Sequence, residues 1–197
     1  MITKKELVEF GVVQFTKFGS KSFTLDELAN ELGISKKTIY KYFNTKEELV
    51  VDCVLYLLER FSKEIEDLEV STNDPLEKII LIYKRGFEHL KYVKPSFLYG
   101  LKRHYPRAFD QFEKFKENLV TEIIFKLLID AKNKGFLKKD VNLELVCEIY
   151  FLRLDNVAFT ETSLFDKYTE EDILHNLIIN NLRGIVTAGY TNQFIEK

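Results

Sequence analysis

Along most of the chain apolar residues recur at three- and four-residue spacing instead of alternating, and only three prolines and eight glycines interrupt them, so the period is helical. Residues 3–18 carry an inward stripe of Leu7, Gly11 and Phe15 and stop at Gly19, where a left-handed C-terminal cap is expected. Thr24 and Glu27 have the spacing of a capping box, and Leu25, Leu28, Ala29 and Leu32 then form a buried face that ends at Gly33. Ser35 can cap a third helix with Ile39 and Phe43 turned inward, and Thr45 with Glu48 repeats the capping-box spacing to open a fourth, running to about Leu68. The STNDP stretch, Pro95, Pro106, Gly135 and residues 163–169 separate further helical patterns over roughly 75–93, 95–104, 107–134, 142–162 and 170–189. The expected fold is all-α, with about nine helices.

The window TLDELANELGISKKTIYKYF, residues 24–43, puts a small residue at Ala29, a flexible one at Gly33 and a buried anchor at Ile39. A helix-turn-helix needs these properties: two short helices crossing steeply leave no room for a large side chain, and the tight turn favours a positive φ. The exposed positions carry the chemistry. Between Gly33 and Lys46 lie Lys36, Lys37, Lys41 and Lys46 with no acidic residue among them. Formal net charge is only −2 and the pI about 6.0, which excludes a global basic field, so any nucleic-acid binding must come from this local patch. Ammonium groups, the Ser35 and Thr38 hydroxyls, the Tyr40 and Tyr42 phenols and the free amides at a helix start all suit phosphate oxygens, and the beginning of the third helix is the part expected to reach base edges in the major groove. Four lysines on a short helix describe, by themselves, a solvated face. The coincidence of two caps, the motif's interior positions and the acid-free stretch favours DNA.

These residues, with Phe15, Gly19, Leu28, Leu32, Ile34, Glu47, Glu48 and Leu49, resemble the N-terminal three-helix DNA-binding unit of the tetracycline-repressor (TetR/AcrR) family. The resemblance is specific over about residues 7–50. It implies a DNA-binding domain at 1–50, joined by the long fourth helix to a helical ligand-binding and dimerisation domain at 51–197. It further implies that Thr24, Ser35, Tyr40, Tyr42 and Lys46 contact phosphates, with Lys36, Lys37 and Thr38 nearest the bases and Lys41 part of the same surface. Two features depart from the family pattern. Phe10 and Gly11 stand where small alanines are usual, and an interior glycine costs about 1 kcal/mol unless a close helix contact requires it. No arginine precedes Arg60, so the bidentate arginine-to-guanine contact is not available to this unit.

Toward the C-terminus, Tyr150, Leu154 and Val157 belong to one broad apolar stripe and Leu174, Leu177, Ile178 and Ile185 to another. Such stripes can complete a monomer's core or meet a second copy. The resemblance favours the second, because the family dimerises through a four-helix bundle of its last two long helices. A dimer also places two reading helices about 34 to 36 Å apart, on successive major-groove faces of a palindromic operator. The family further implies an inducer cavity among the middle helices, for which Tyr83, Phe87, Phe97, His104, Phe112, Phe151 and Asp155 are the candidates.

Hydrophobic residues at 46% and charged residues at 30% exclude the disordered class. His89, His104 and His175 lack metal-ligand spacing, no GxGxxG is present, and carboxylate pairs such as Glu144 with Glu148 are commonplace on helices, so neither an enzyme nor a cofactor or metal is expected. Cys53 and Cys147 form no disulfide framework, and charges interrupt every apolar run well short of the roughly 20 residues that cross a bilayer. A cytoplasmic regulator without membrane attachment is expected, with double-stranded operator DNA, a second copy of itself and a small-molecule effector as partners. The alternative is a protein of the same fold that answers to a protein partner and no small molecule.

Overall fold

The computed structural model describes residues 2–158 and 163–195, excluding the side chains of residues 69, 153–156 and 158. Among the described residues the chain is all-helical apart from one 3₁₀ turn, Leu164–Asp166, and a single isolated β-bridge. The helices are α1 (Lys4–Phe18), α2 (Leu25–Glu31), α3 (Lys36–Tyr40), α4 (Lys46–Ser71), α5 (Pro75–Leu90) and α6 (Pro95–His104). Helix α7 runs over 106–133 with a π-helical turn at Leu119–Ile124, α8 is Leu143–Ala158, and α9 runs over 170–185 with a π-helical turn at His175–Ile179. No described helix is long and apolar enough to cross a membrane.

Residues 1–60 and 92–115 make one compact unit, residues 61–91 and 116–197 the other. In the first, α1 opens on a reciprocal box: Thr3 accepts from the Glu6 amide at 3.2 Å and Glu6 takes the Thr3 N–H at 2.7 Å. Leu7, Phe15, Leu28, Ile39, Leu49 and Leu101 are fully buried and fasten α1 to α4 and α6 around one core. Gly11 belongs to that core for want of a side chain: a Cβ built there would lie 2.9 Å from Cys53 Sγ on α4, so this close approach is what the interior glycine serves. Gly19 has φ +89° with ψ 139°, positive as expected but outside the left-handed helical region. The expected left-handed cap is therefore corrected to an extended exit, in which the Gly19 amide still returns to the Phe15 carbonyl at 2.8 Å.

Helix α4 begins at Lys46 under a modified cap. Thr45 Oγ1 accepts from the Glu48 amide at 3.2 Å, but the Glu48 carboxylate reaches past Thr45 to the Asn44 amide at 2.7 Å. In the second unit Asp74 caps α5 by accepting from the Leu76 and Glu77 amides at 2.9 and 3.1 Å, with Pro75 at the first helical position where its missing N–H costs nothing. Leu76, Ile79, Ile80, Tyr83 and Phe87 bury one face of that helix. The last helix ends at Ile185, earlier than the periodicity to 189 predicts. Val186 instead turns extended and pairs with Leu137, while the Thr187 amide bonds the Phe136 carbonyl at 2.9 Å. Partners about fifty residues away outweigh local helical preference there.

The glycines supply a direct test of packing. Gly11→Ala is expected to destabilise the protein by about 1 kcal/mol or more, because overpacking at Cys53 outweighs the helix-propensity gain. Gly184→Ala meets nothing within 4 Å and is expected to gain about 0.5 kcal/mol. Urea-unfolding midpoints of both variants decide this, and a rise for Gly11→Ala would contradict the close contact.

Candidate nucleic-acid interface

Helices α2 and α3 are joined by a turn in which Gly33 has φ +63°, the Gly33 amide bonds the Asn30 carbonyl at 3.1 Å and the Ile34 amide bonds the Ala29 carbonyl at 3.0 Å. Ala29 and Ile39 are buried beneath it, and Phe43 closes the far end. Thr24 holds the start of α2 in a reciprocal box with Glu27, at 3.2 Å from the Glu27 amide and 2.6 Å from the Thr24 N–H to the carboxylate. Ser35 caps α3 through the Thr38 amide at 3.2 Å, and the two hydroxyls lie 2.9 Å apart. The five residues of α3 bury only Ile39, leaving the rest to face outward or to lie half-covered.

Thr24, Ser35, Lys36, Lys37, Tyr40 and Lys41 are exposed, and Thr38 is half-buried. Lys37 and Lys41 form no ion pair among the described residues. Lys36 differs: its ammonium lies 2.8 Å from Asp26 of α2, a hydrogen bond that raises its pKa above the ordinary lysine value. The surface is therefore not free of acid, as the window 33–46 suggests, because folding brings in a carboxylate from ten residues earlier. Tyr42 is half-buried and its phenol donates to the Ile2 carbonyl at 2.8 Å, tying the start of the chain to the end of the motif. Lys46 is also half-buried. Its ammonium donates to the Lys21 carbonyl at 3.3 Å and lies over the Phe15 and Tyr105 rings, and burial lowers its pKa against the opposing pull of Glu27. Neither Asp26 nor the Ile2 carbonyl has a local sequence signal that would have named it.

The residues expected to line an effector cavity divide between the units. Phe97, His104 and Phe112 belong to the first, with Phe97 buried and His104 exposed, whereas Tyr83, Phe87 and Phe151 belong to the second; the side chain of Asp155 lies outside the described residues. Tyr83 packs edge-on against Tyr150 at 5.6 Å between ring centroids, and the Lys116 ammonium lies 4.4 Å above the Phe151 ring. The second unit carries a groove of about 270 Å³ lined by Ile65, Leu68, Ile82, Ile123 and Leu127 together with Lys78, Glu122 and Lys126. None of the expected aromatic residues is among them. Of the residues expected between two copies, Tyr150, Val157, Leu174 and Ile178 are buried within the single chain, Leu177 and Ile185 are half-buried, and the Leu154 side chain lies outside the described residues. The buried four contribute to the chain's own core.

A capped, lysine-bearing helix displayed by a helix-turn-helix defines a DNA-binding protein. Residues 7–53 match the family described as bacterial regulatory proteins, tetR family. YvaF, an uncharacterised HTH-type transcriptional regulator of Bacillus subtilis (strain 168), is 25% identical over 173 residues, 83% of this chain and 86% of that protein. The structure of the ketosteroid transcriptional regulator KstR2 of Mycobacterium tuberculosis is similar with a TM-score of 0.68 at 20% identity, covering 93% of this chain and 95% of that one. In sequence the match to KstR2 extends over 87 residues at 28% identity, so the chain spans under half of that relative, 44% of its length. FadR of Bacillus subtilis in complex with stearoyl-CoA is similar with a TM-score of 0.66 at 18% identity, covering 89% and 98% of the two chains.

The Thr24 cap gives a measurable pH signature. Hydrogen bonds from the Thr24 amide and hydroxyl hold the Glu27 carboxyl below its ordinary value, with burial a smaller opposing cause. A depressed acid contributes stability above its unfolded pKa and loses it as pH falls through the folded one. Thr24→Ala is expected to move the Glu27 titration upward in a carboxyl-resolved NMR experiment and to shrink the stability lost on acidification. An unchanged Glu27 midpoint would show that the Thr24 hydroxyl does not hold the carboxylate in solution.

Proposed function

We propose that this protein is a ligand-responsive repressor that binds a palindromic operator as a homodimer, with residues 1–50 as the DNA-binding domain and residues 51–197 as the ligand-binding and dimerisation domain. The observation that carries the reading is α3, held by a single buried residue and a serine cap so that Lys36, Lys37 and Thr38 stand at its exposed start. These three read bases, and Thr24, Ser35, Tyr40, Lys41, Tyr42 and Lys46 hold phosphates from both sides of the motif. Lys36 must exchange Asp26 for DNA, so part of its binding energy is spent breaking an existing pair. Tyr42 can donate to a phosphate only by giving up its bond to the Ile2 carbonyl.

Support for a dimer comes from α8, where Leu145 and Leu152, seven residues apart on one helical face, are 52% and 60% exposed. Leu177 and Ile185 on α9 are only partly covered and extend the apolar surface available to a second copy. An effector acts by preferring the state in which the two reading helices are wrongly spaced, since equal affinity for both states shifts nothing. That FadR of Bacillus subtilis is known in complex with stearoyl-CoA supports a small-molecule effector for this chain as well.

Genome-wide mapping of bound fragments, followed by anisotropy titrations at several salt concentrations, tests the reading; no affinity for any fragment, including the region beside its own gene, would end it. Lys46→Gln is expected to weaken binding to all sequences and to reduce the salt slope by about one unit, whereas Lys37→Gln changes preference at one base pair by about 1 to 3 kcal/mol. Leu152→Arg is expected to shift the solution mass from dimer to monomer.

A further inference from the structure

The groove of the second unit combines two features that call for different halves of one ligand. Ile65 and Leu68 of α4, Ile82 of α5 and Ile123 and Leu127 of α7 offer apolar surface, and three charged residues, Lys78, Glu122 and Lys126, complete the lining. Glu122 and Lys126 neutralise one another in an exposed i,i+4 pair at 3.0 Å. Lys78 does not share that arrangement. It is half-buried on α5 and forms no ion pair or side-chain hydrogen bond among the described residues. A half-buried lysine beside isoleucine and leucine, with no carboxylate to answer it, has its charge available to an anion. The π-helical turn Leu119–Ile124 contributes Glu122 and Ile123 to the lining, and such widened turns are frequent at functional sites.

We infer that this groove binds a single-chain amphiphile with one anionic head, of which a medium-chain fatty carboxylate is the simplest, its chain on the apolar residues and its head on Lys78. A cationic ligand is disfavoured, because the one carboxylate in the lining is already paired. At about 270 Å³ the space lies just under the usual size of small-molecule pockets, about 300 to 1,000 Å³, which fits one chain and no fused ring system with substituents. The inference deepens the effector half of the proposed function and rests on that reading only for its consequence at DNA.

Calorimetric titration of the full chain without DNA tests it, using hexanoate, octanoate, decanoate and laurate beside the 1-alkanols of equal length. Each added CH₂ is expected to tighten binding about fourfold until the groove is filled, after which affinity levels off. Decanoate is expected to bind about fivefold more tightly than decanol. Lys78→Gln should abolish that advantage with decanol affinity unchanged, and Lys78→Arg should restore it. Equal affinity for acid and alcohol, an acid preference that survives Lys78→Gln, or affinity independent of chain length would each overturn the assignment. A second titration, of operator DNA with saturating decanoate present, reads the effector role separately: unchanged DNA affinity there would count against ligand-responsive repression and leave the groove's assignment standing.

Discussion

Helix α3 has five residues, far fewer than the roughly 12 to 15 at which an isolated helix becomes marginally stable, so its existence and its aim depend wholly on what holds it. Ile39 is that hold. It is fully buried beneath the turn, with Ala29 small enough to let it in and Phe43 sealing the end. Gly33 supplies the positive φ that brings the chain round, and Ser35 caps the helix start, its hydroxyl and its carbonyl both accepting from the Thr38 amide. Because only one side chain of the helix is spent on packing, the others are left for recognition. The rest of the first unit extends this arrangement: Leu28 and Leu49 are fully buried in the same core, and Gly11 lets α1 close on α4.

The charge on this surface is a product of folding as much as of composition. A chain of net charge −2 has no long-range attraction for DNA, and the lysines of α3 and α4 provide it locally. Folding then divides those lysines. Lys37 and Lys41 remain without acidic partners among the described residues, Lys36 is tied to Asp26, and Lys46 is drawn onto the Lys21 carbonyl and two aromatic rings at the entry to α4. Equal formal charges thus carry unequal desolvation and exchange costs on meeting a phosphate. No arginine precedes Arg60, so the helix-turn-helix itself offers no bidentate arginine fork.

In the second unit the same amphipathic stripes that suggest an interface are largely used up at home. Tyr150 is fully buried against Tyr83, and Leu174 and Ile178 are covered in the single chain, so the apolar surface left outward on α8 is a different face, marked by Leu145 and Leu152. The C-terminal residues after α9 are fastened as well: Tyr190 donates to the Asp74 carboxylate at 2.7 Å and leans on the Phe136 ring, which joins the end of the chain to the cap of α5. That helix in turn carries Lys78 and Ile82 into the groove.

By itself the sequence determined the features whose physics is local. Capping boxes close over three residues and helical stripes repeat every three or four, so the all-α class, the caps at Thr24 and Ser35, and the roles of Ala29, Gly33 and Ile39 were readable from the order of residues alone. Tertiary structure decided what depends on partners far along the chain. Asp26 beside Lys36, Ile2 under Tyr42, Leu137 beside Val186 and the inward turn of Tyr150 have no spacing that announces them. A stripe specifies that a helix face must be covered but not by what, because burial of apolar surface is non-directional and any complementary face can satisfy it.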